Sequence, residues 1–489
     1  MKNNIIIQLD KNLNKSLYIQ LADKLKKLIE DGVFQKDEKL PSIRSLAKKL
    51  EVNNITIVNA YKLLEQEGYV YSKKGSGTYV KRQDEDLSLN YLADENMELM
   101  TSGILSLSKN SINFASVSPT PELFPVEEFK QVLIEVLDRD KGKAFVYPEI
   151  NGYGPLRESI SCFLKDNYYI DIEASKIQII SGGQQGIDLL AKTLIQPGDY
   201  VFVENPTYSG AIAAFESRGA KIIGIPMEQD GINLDELKKY IDMYHPKFLY
   251  TMPNYQSPTT YSYSEEKKKE LLDLAHKNDL YIIEDDFMSD LSYTDKKLPL
   301  KSMDKYDQVI YIKSFSKILM PGLRLGFLTT PEKFFRDIIK AKHTTDISSS
   351  GFIQRAFDLF LRENFWKQHI ERVKKDYNEK YKLILKEINN LKKYNINFKK
   401  PDGGLSLWLE LPSDISCIEL YNECANNDVI IVPGEIFFID NNNSKTNFIR
   451  LSFGSVNKKQ IVEGINVIEN CIAKLKGGND ENTKFIPLI

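Results

Sequence analysis

Between residues 18 and 64 the apolar positions fall at the i, i+3, i+4, i+7 spacing of amphipathic helices. They are Tyr18, Leu21, Ala22, Leu25, Leu28 and Ile29, then Ile43, Leu46, Ala47 and Leu50, then Ile57, Ala60, Tyr61 and Leu64. Three short helices are predicted. Only "EVNN" separates the second from the third, with Asn53 or Asn54 placed to cap the third helix, which is a helix-turn-helix arrangement. The stretch "YVYSKKGSGTYV" then alternates around a Gly-Ser-Gly turn and predicts a hairpin, a candidate wing with Lys73 and Lys74 at its tip. From about residue 165 the pattern changes. Near-continuous apolar runs, "KIQIISGG", "YVFVENPTY", "KIIGIPM", "FLYTMPN", "YIIEDDF", "VIYIKSFSK" and "LRLGFLTT", alternate with helical spacing. Strands of that kind, buried on both sides, predict a mostly parallel sheet with helices on both faces.

Composition narrows this picture without changing it. The chain has 489 residues, 42% hydrophobic and 27% charged, so it reads as a globular protein of two to four domains. It shows no apolar leader core and no run of eighteen apolar residues, so a cytoplasmic location is expected and a membrane partner is not. Four cysteines and four histidines, scattered without ligand spacing, predict neither a disulfide framework nor a metal site. Charge is distributed unevenly. Residues 1–82 carry 16 Lys and Arg against nine Asp and Glu, whereas 83–111 hold one Lys against six acids. A basic head followed by an acidic segment predicts a polyanion partner for the head alone.

The candidate chemistry gathers at the carboxyl ends of the predicted strands, where open parallel sheets bind ligands. Gly182-Gly183-Gln184, Tyr208, Asn254 to Ser257, Asp285, and Ser314 to Lys317 all fall there. Lys317 lies between two apolar runs with no carboxylate close by in sequence. An ammonium in such a place is costly unless it is paired or loses its charge, which points to chemistry of the neutral amine; a lysine reaching to the surface from a strand end is the alternative. A lysine amine condenses with an aldehyde, an aspartate holds a ring nitrogen protonated, and amides at a helix start, with Ser and Arg, bind phosphate. Together these describe pyridoxal 5'-phosphate, with Tyr208 as a flat ring for stacking.

The stretch "LPSIRSLAKKLEVNNITIVNAYKLLEQEGYVYSKKGSGTYV" resembles the GntR-type winged-helix DNA-binding domain. The resemblance implies that Ser42, Arg44, Asn53, Asn54, Thr56 and Tyr61 lie at or near the DNA, with Lys73, Lys74 and Gly77 on the wing. Asn54 and Asn59 stand where that family usually has basic residues, which implies fewer phosphate contacts and a flatter salt dependence.

From "INFASVSPTPELFP" at 112 to "FIRLSFG" at 448 the chain resembles the fold-type I aminotransferases of class I. The resemblance implies that Lys317 joins the cofactor's aldehyde and is the catalytic residue, while Asp285 pairs with the pyridine nitrogen. It implies a phosphate held by Gly183, Gln184, Ser314, Arg324 and, more weakly, Ser316. Tyr147 would reach the phosphate from a neighbouring subunit of a homodimer with shared sites, and Arg450 would grip a substrate carboxylate. Ser257 and Thr260 replace the usual asparagine and glycine, and Phe287 a common tyrosine. Both the asparagine and the tyrosine donate to the cofactor's phenolic oxygen, so weaker control of that oxygen and poor turnover are expected.

Taken whole, the chain resembles the MocR/GabR-type transcriptional regulators. The expected organisation is a winged helix at 1–82, a linker at 83–111 and an aminotransferase-like body at 112–489, with a smaller C-terminal α/β subdomain at about 376–475. The fold class expected is α/β with an added α+β head. The implied function is regulation through double-stranded operator DNA, sensing the cofactor or a small amine or amino-acid effector. A working transaminase, of weak activity, and a DNA-binding protein with an inert body remain as alternatives.

Overall fold

The inward positions set by helical spacing in the head meet in one small core, with Leu21, Leu25, Ala60 and Leu64 almost wholly buried. In this computed structural model the described residues are 16–30, 34, 38–50, 52–66, 69–73, 77–80, 111–439 and 447–477. The expected linker therefore lies outside the described residues except for residue 111, as does Lys74. The chain divides into two compact units, Met1–Glu98 and Leu99–Ile489.

The first unit contains α1 (Leu17–Glu30), α2 (Ile43–Leu50), α3 (Asn54–Gln66), and the antiparallel strands β1 (Val70–Lys73) and β2 (Gly77–Val80). The Asn53 side chain accepts a hydrogen bond from the Ile55 amide at 3.0 Å, so Asn53 is the cap of α3. Ser42 does the same for α2 through the Ser45 amide at 3.2 Å. Three helices followed by a two-stranded wing is the arrangement that the spacing predicts.

The second unit is built on an eight-stranded sheet. Its strands are β4 (Ile177–Ile180), β5 (Tyr200–Asn205), β6 (Lys221–Glu228), β7 (Gly231–Ile232), β8 (Phe248–Thr251), β9 (Tyr281–Asp286), β10 (Val309–Ser314) and β11 (Gly326–Thr329). The order across the sheet is β4-β11-β10-β9-β8-β5-β6-β7. Strands β10, β9, β8, β5 and β6 run parallel, and β11 runs against both of its neighbours, so β4 points the same way as β10. All seven apolar runs picked out by the hydrophobic pattern are strands of this sheet.

Strand alternation sends the sheet's side chains to two faces. Val201 and Val203 join Ile283, Ile312 and Leu328 on one face, beneath the helices Gly183–Leu194, Ser209–Glu216 and Glu332–Asp346. Phe202, Leu249 and Ile282 face the other way, against Leu234–Tyr244 and Glu265–Lys277. Each such side chain contributes about 1.5–3 kcal/mol by leaving water. A smaller antiparallel sheet of order β12-β13-β16-β15 follows, made of β12 (Asn397–Phe398), β13 (Ser406–Glu410), β15 (Val432–Pro433) and β16 (Phe448–Ser452). The two-residue strands β3 (Ile112–Asn113) and β14 (Val429–Ile430) pair in parallel and tie the start of the described body to this region. Because β4, β5, β8, β9 and β10 share a direction, their carboxyl ends open on one edge.

Candidate cofactor site and DNA-facing surface

The glycine turn after β4 is forced by crowding. Gly182 adopts φ +89°, and a Cβ there would come within 2.6 Å of the Arg324 guanidinium. Arg324 donates to the Ser181 carbonyl at 2.8 Å and reaches the Ser316 hydroxyl at 3.5 Å. Ser314 closes the other side, since a Cβ on Gly183 would meet its Cβ at 3.5 Å. The helix Gly183–Leu194 starts here, and the amides of Gly183 and Gln184 belong to its open first turn. Gln184 spans to the next element, donating to Gly210 O at 2.9 Å and accepting from the Tyr208 hydroxyl at 3.0 Å. An arginine, two serines and a helix start converging on one glycine turn make an anion cradle.

Next to it stands Lys317, partly exposed at the end of the turn after β10. Burial of its ammonium lowers its pKa to about 8, assisted by the positive charges of Arg450 and Arg324 and opposed by Asp285. Asp285 is buried at the end of β9. Burial raises its pKa to about 6 and the neighbouring Asp286 adds to this, while the Tyr250 hydroxyl, donating to Oδ2 at 2.7 Å, works against it. Burial likewise raises the Tyr208 pKa, with Asp285 adding and Arg450 and Arg324 opposing, which brings all four groups into one electrostatic neighbourhood.

Arg450, on β16, completes the group. One terminal nitrogen donates to Ala115 O at 2.7 Å and the guanidinium lies 5.1 Å from the Phe437 ring centroid. Its Nε is buried without a hydrogen-bond partner among the described residues. Burial lowers the Arg450 pKa to about 10, with Tyr208 opposing. A desolvated guanidinium with an orphan donor calls for an anionic ligand group. The amine of lowered pKa, the buried carboxylate, the cradle and the orphan Nε together fit a phosphorylated pyridine aldehyde that receives a carboxylate-bearing amine.

Other expected residues stand apart. Ser257 lies partly exposed in the turn after β8 and makes no hydrogen bond to the Lys317 group among the described residues. Phe287 packs against two of the body's cores, that of Val203, Ile283 and Ile312 and that of Tyr255, Met288 and Leu405. Tyr147 is 78% exposed, beside the exposed Phe145 and Val146. Asn254, within a polar stretch marked by the sequence, instead bonds Ser289, Leu298 O and Lys268.

Two features were not read from the sequence. Tyr250 holds Asp285, and its signal was a tyrosine in a wholly buried strand, whose hydroxyl needs a partner. Lys313, also wholly buried, pairs with Asp286 at 3.2 Å and Asp290 at 2.8 Å, while Tyr311 donates to Asp286 at 2.5 Å. A lysine inside the apolar run "VIYIKS" demands such a counter-charge.

In the head, Ser42, Arg44, Asn53 and Asn54 are exposed, and Thr56 is half-buried on α3. Tyr61 departs from expectation. It is buried, and its hydroxyl donates to Pro41 O at 2.7 Å, so it braces the approach to α2 and does not face solvent. Gly77 opens β2 at φ +129°, close to Lys39, and Lys73 ends β1.

A mostly parallel sheet with this site at its carboxyl edge defines a fold-type I transferase-like cofactor domain. The chain belongs to the family Aminotransferase class I and II, which it matches over residues 104–468, and residues 17–80 match Bacterial regulatory proteins, gntR family, so the whole has the MocR-type architecture. It is 30% identical to the uncharacterized HTH-type transcriptional regulator YdfD of Bacillus subtilis, over 92% of this chain and 94% of that one. It is 31% identical to aromatic-amino-acid aminotransferase 1 of Thermococcus litoralis, over 77% of this chain and 92% of the relative. Among solved structures it resembles LysN, the alpha-aminoadipate aminotransferase of Thermus thermophilus complexed with N-(5'-phosphopyridoxyl)-L-leucine. That likeness has a TM-score of 0.71 and 30% identity, and covers 80% of this chain and all of that one. No described helix is long and apolar enough to cross a membrane.

Proposed function

We propose that this protein is a pyridoxal 5'-phosphate-dependent transcriptional regulator: the winged helix binds double-stranded DNA, and the body senses the cofactor or an amino-compound effector. The observation that carries this reading is the fusion itself, a gntR-family head and an aminotransferase body on one chain, shared over nearly full length with a relative named as a regulator. We assign the DNA contacts to exposed Ser42, Arg44, Asn53 and Asn54, with Thr56 and the wing residues Lys73, Lys74 and Gly77. The protein acts in the cytoplasm as a homodimer, and Tyr147 of each protomer serves the other's phosphate.

The residues divide the work as follows. Gly183, Gln184, Ser314, Ser316 and Arg324 would hold the phosphate, and Tyr208 would supply a flat face for the ring. The bound cofactor supplies an aldehyde that condenses with amines and a ring that draws off electrons. Lys317, with a pKa of about 8, keeps roughly a tenth of its amines neutral at pH 7 and so presents a nucleophile without a separate base. Asp285 holds a proton on the ring nitrogen, and Tyr250 fixes the orientation of that carboxylate. Arg450 turns its orphan Nε and a terminal nitrogen to an incoming carboxylate, so the effector is an amine that also bears a carboxylate.

The completeness of the amine, carboxylate and guanidinium set favours a second reading, a working aminotransferase. One experiment separates the two. Genomic DNA fragments bound by the purified chain are recovered with and without pyridoxal 5'-phosphate, and Lys317→Ala is treated likewise while amino transfer to 2-oxo acids is followed. A regulator enriches discrete fragments whose affinity shifts with cofactor, and Lys317→Ala retains DNA binding but loses the shift. Identical fragments and affinities in all cases, or sustained amino transfer without any effect on DNA, would overturn the proposal.

A further inference from the structure

Packed against the glycine turn is a second set of polar side chains that the cofactor site does not use. Lys342, one turn before the end of the helix Glu332–Asp346, is wholly buried. Its ammonium donates to both oxygens of Asp346, to Oδ2 at 2.7 Å, and to the Ser349 hydroxyl at 3.0 Å. All three donors of the lysine are thereby occupied. Burial draws its pKa down and Asp346 opposes this. Asp346 Oδ2 also accepts from Gln185 Nε2 at 2.8 Å, and Gln185 Oε1 accepts from the Ser181 amide at 2.7 Å. The Ser349 hydroxyl meets the Ser181 hydroxyl at 2.9 Å. Ser181 O, finally, accepts from Arg324 at 2.8 Å.

Every polar group of Ser181, the residue just before Gly182-Gly183, is thus fixed: its amide and hydroxyl by the Lys342 cluster, its carbonyl by Arg324. The same cluster governs charge. The Asp346 carboxylate is one side chain away from the cradle, where an uncompensated anion would repel a phosphate, and Lys342 neutralises it. A buried lysine is costly, and a pin for a helix end does not require one.

We propose that Lys342, acting with Asp346 and Gln185 through Ser181, is a positioning residue that sets the glycine turn and the Arg324 guanidinium in the form that receives a phosphate ester. This rests on the reading of Gly183, Gln184, Ser314 and Arg324 as the phosphate cradle.

The test titrates the cofactor-free, full-length chain with pyridoxal 5'-phosphate and with pyridoxal, followed by visible absorbance. Wild type should bind the phosphorylated form far more tightly; equal affinities would overturn the cradle reading itself. With that preference in hand, Lys342→Met should weaken pyridoxal 5'-phosphate by ~10-fold or more and leave pyridoxal within ~2-fold, because the lost contacts act on the phosphate end alone. Lys342→Arg should restore most of the loss. If Lys342→Met does not yield folded protein, Gln185→Met carries the same test, since it removes the link between Asp346 and Ser181 and leaves the buried ion pair in place. Equal weakening of both ligands, or of neither, would overturn the assignment.

Discussion

Asp285 and Asp286 are consecutive residues at the end of β9, and strand alternation sends them to opposite faces of the sheet. On one face, Asp286 meets the Lys313 ammonium and the Tyr311 hydroxyl. Burial would raise its pKa, but these partners overcome that and hold it below the ordinary carboxylate range. On the other face, Asp285 has the Tyr250 hydroxyl and, among the described residues, no directly bonded cation; burial and the charge of Asp286 leave its pKa at about 6 against the pull of Tyr250 and the Lys317 charge. The same side chain in the same strand therefore serves two ends. A carboxylate with its own cation is structural, whereas one kept short of a cation has proton affinity to offer a ligand.

The contrast is tested most severely at Lys313. Lys313→Met leaves Asp286 and Asp290 buried without their cation and is expected to cost about 3–5 kcal/mol, read as a fall in the urea midpoint of the cofactor-free protein. Lys313→Met combined with Asp286→Asn should recover part of that loss. A cost no larger than an exposed pair's would mean that the far face is not held by this cluster.

The next effect is in pH dependence. Asp285 has a raised folded pKa, so its contribution is fully present below its unfolded value near 4 and is lost as pH rises through about 6. The stability difference between wild type and Asp285→Asn should therefore move against wild type by about 2 kcal/mol from pH 4 to pH 7. Glu284, pushed up to about 8 chiefly by burial, is present in both proteins and drops out of the difference. Asp286→Asn should show the opposite sign, because a depressed carboxylate contributes above its unfolded pKa and loses that contribution as pH falls. Curves of the same sign for the two variants would erase the distinction between the faces. Smallest is Tyr250→Phe, expected to cost about 1 kcal/mol and to shift the upper end of the Asp285 window to higher pH, since the donor that stabilises the anion is gone. An unchanged window would show that Tyr250 does not set the carboxylate's proton affinity.

Much of this was legible along the chain. Helical spacing placed α1 to α3, the alternating run around Gly-Ser-Gly placed the wing, and seven apolar runs placed the strands whose ends carry Gly182, Tyr208, Asp285 and Ser314. Less legible were residues whose meaning depends on partners far away in sequence. Lys313 and Asp286 are 27 positions apart, Tyr250 and Asp285 are 35, and Gln185 and Asp346 are 161. Tyr61 was misread for a related reason: its apolar spacing made it a core residue, and the carbonyl that satisfies its hydroxyl lies 20 positions earlier.

The sequence by itself determined the elements, their order, the split into a helical head and a sheet-based body, and the residue types able to bind DNA and an aldehyde-bearing phosphate. Local periodicity and turn chemistry are enough for that, because burial has to follow the repeat of the backbone. Only the tertiary structure decided which of two adjacent aspartates is paired directly with a buried lysine, which tyrosine steadies the other and which buried lysine stands behind the glycine turn. Those assignments depend on which strands lie side by side and which faces they share, and a charge in a low-dielectric interior is defined by the partners that packing brings within about 3 Å of it.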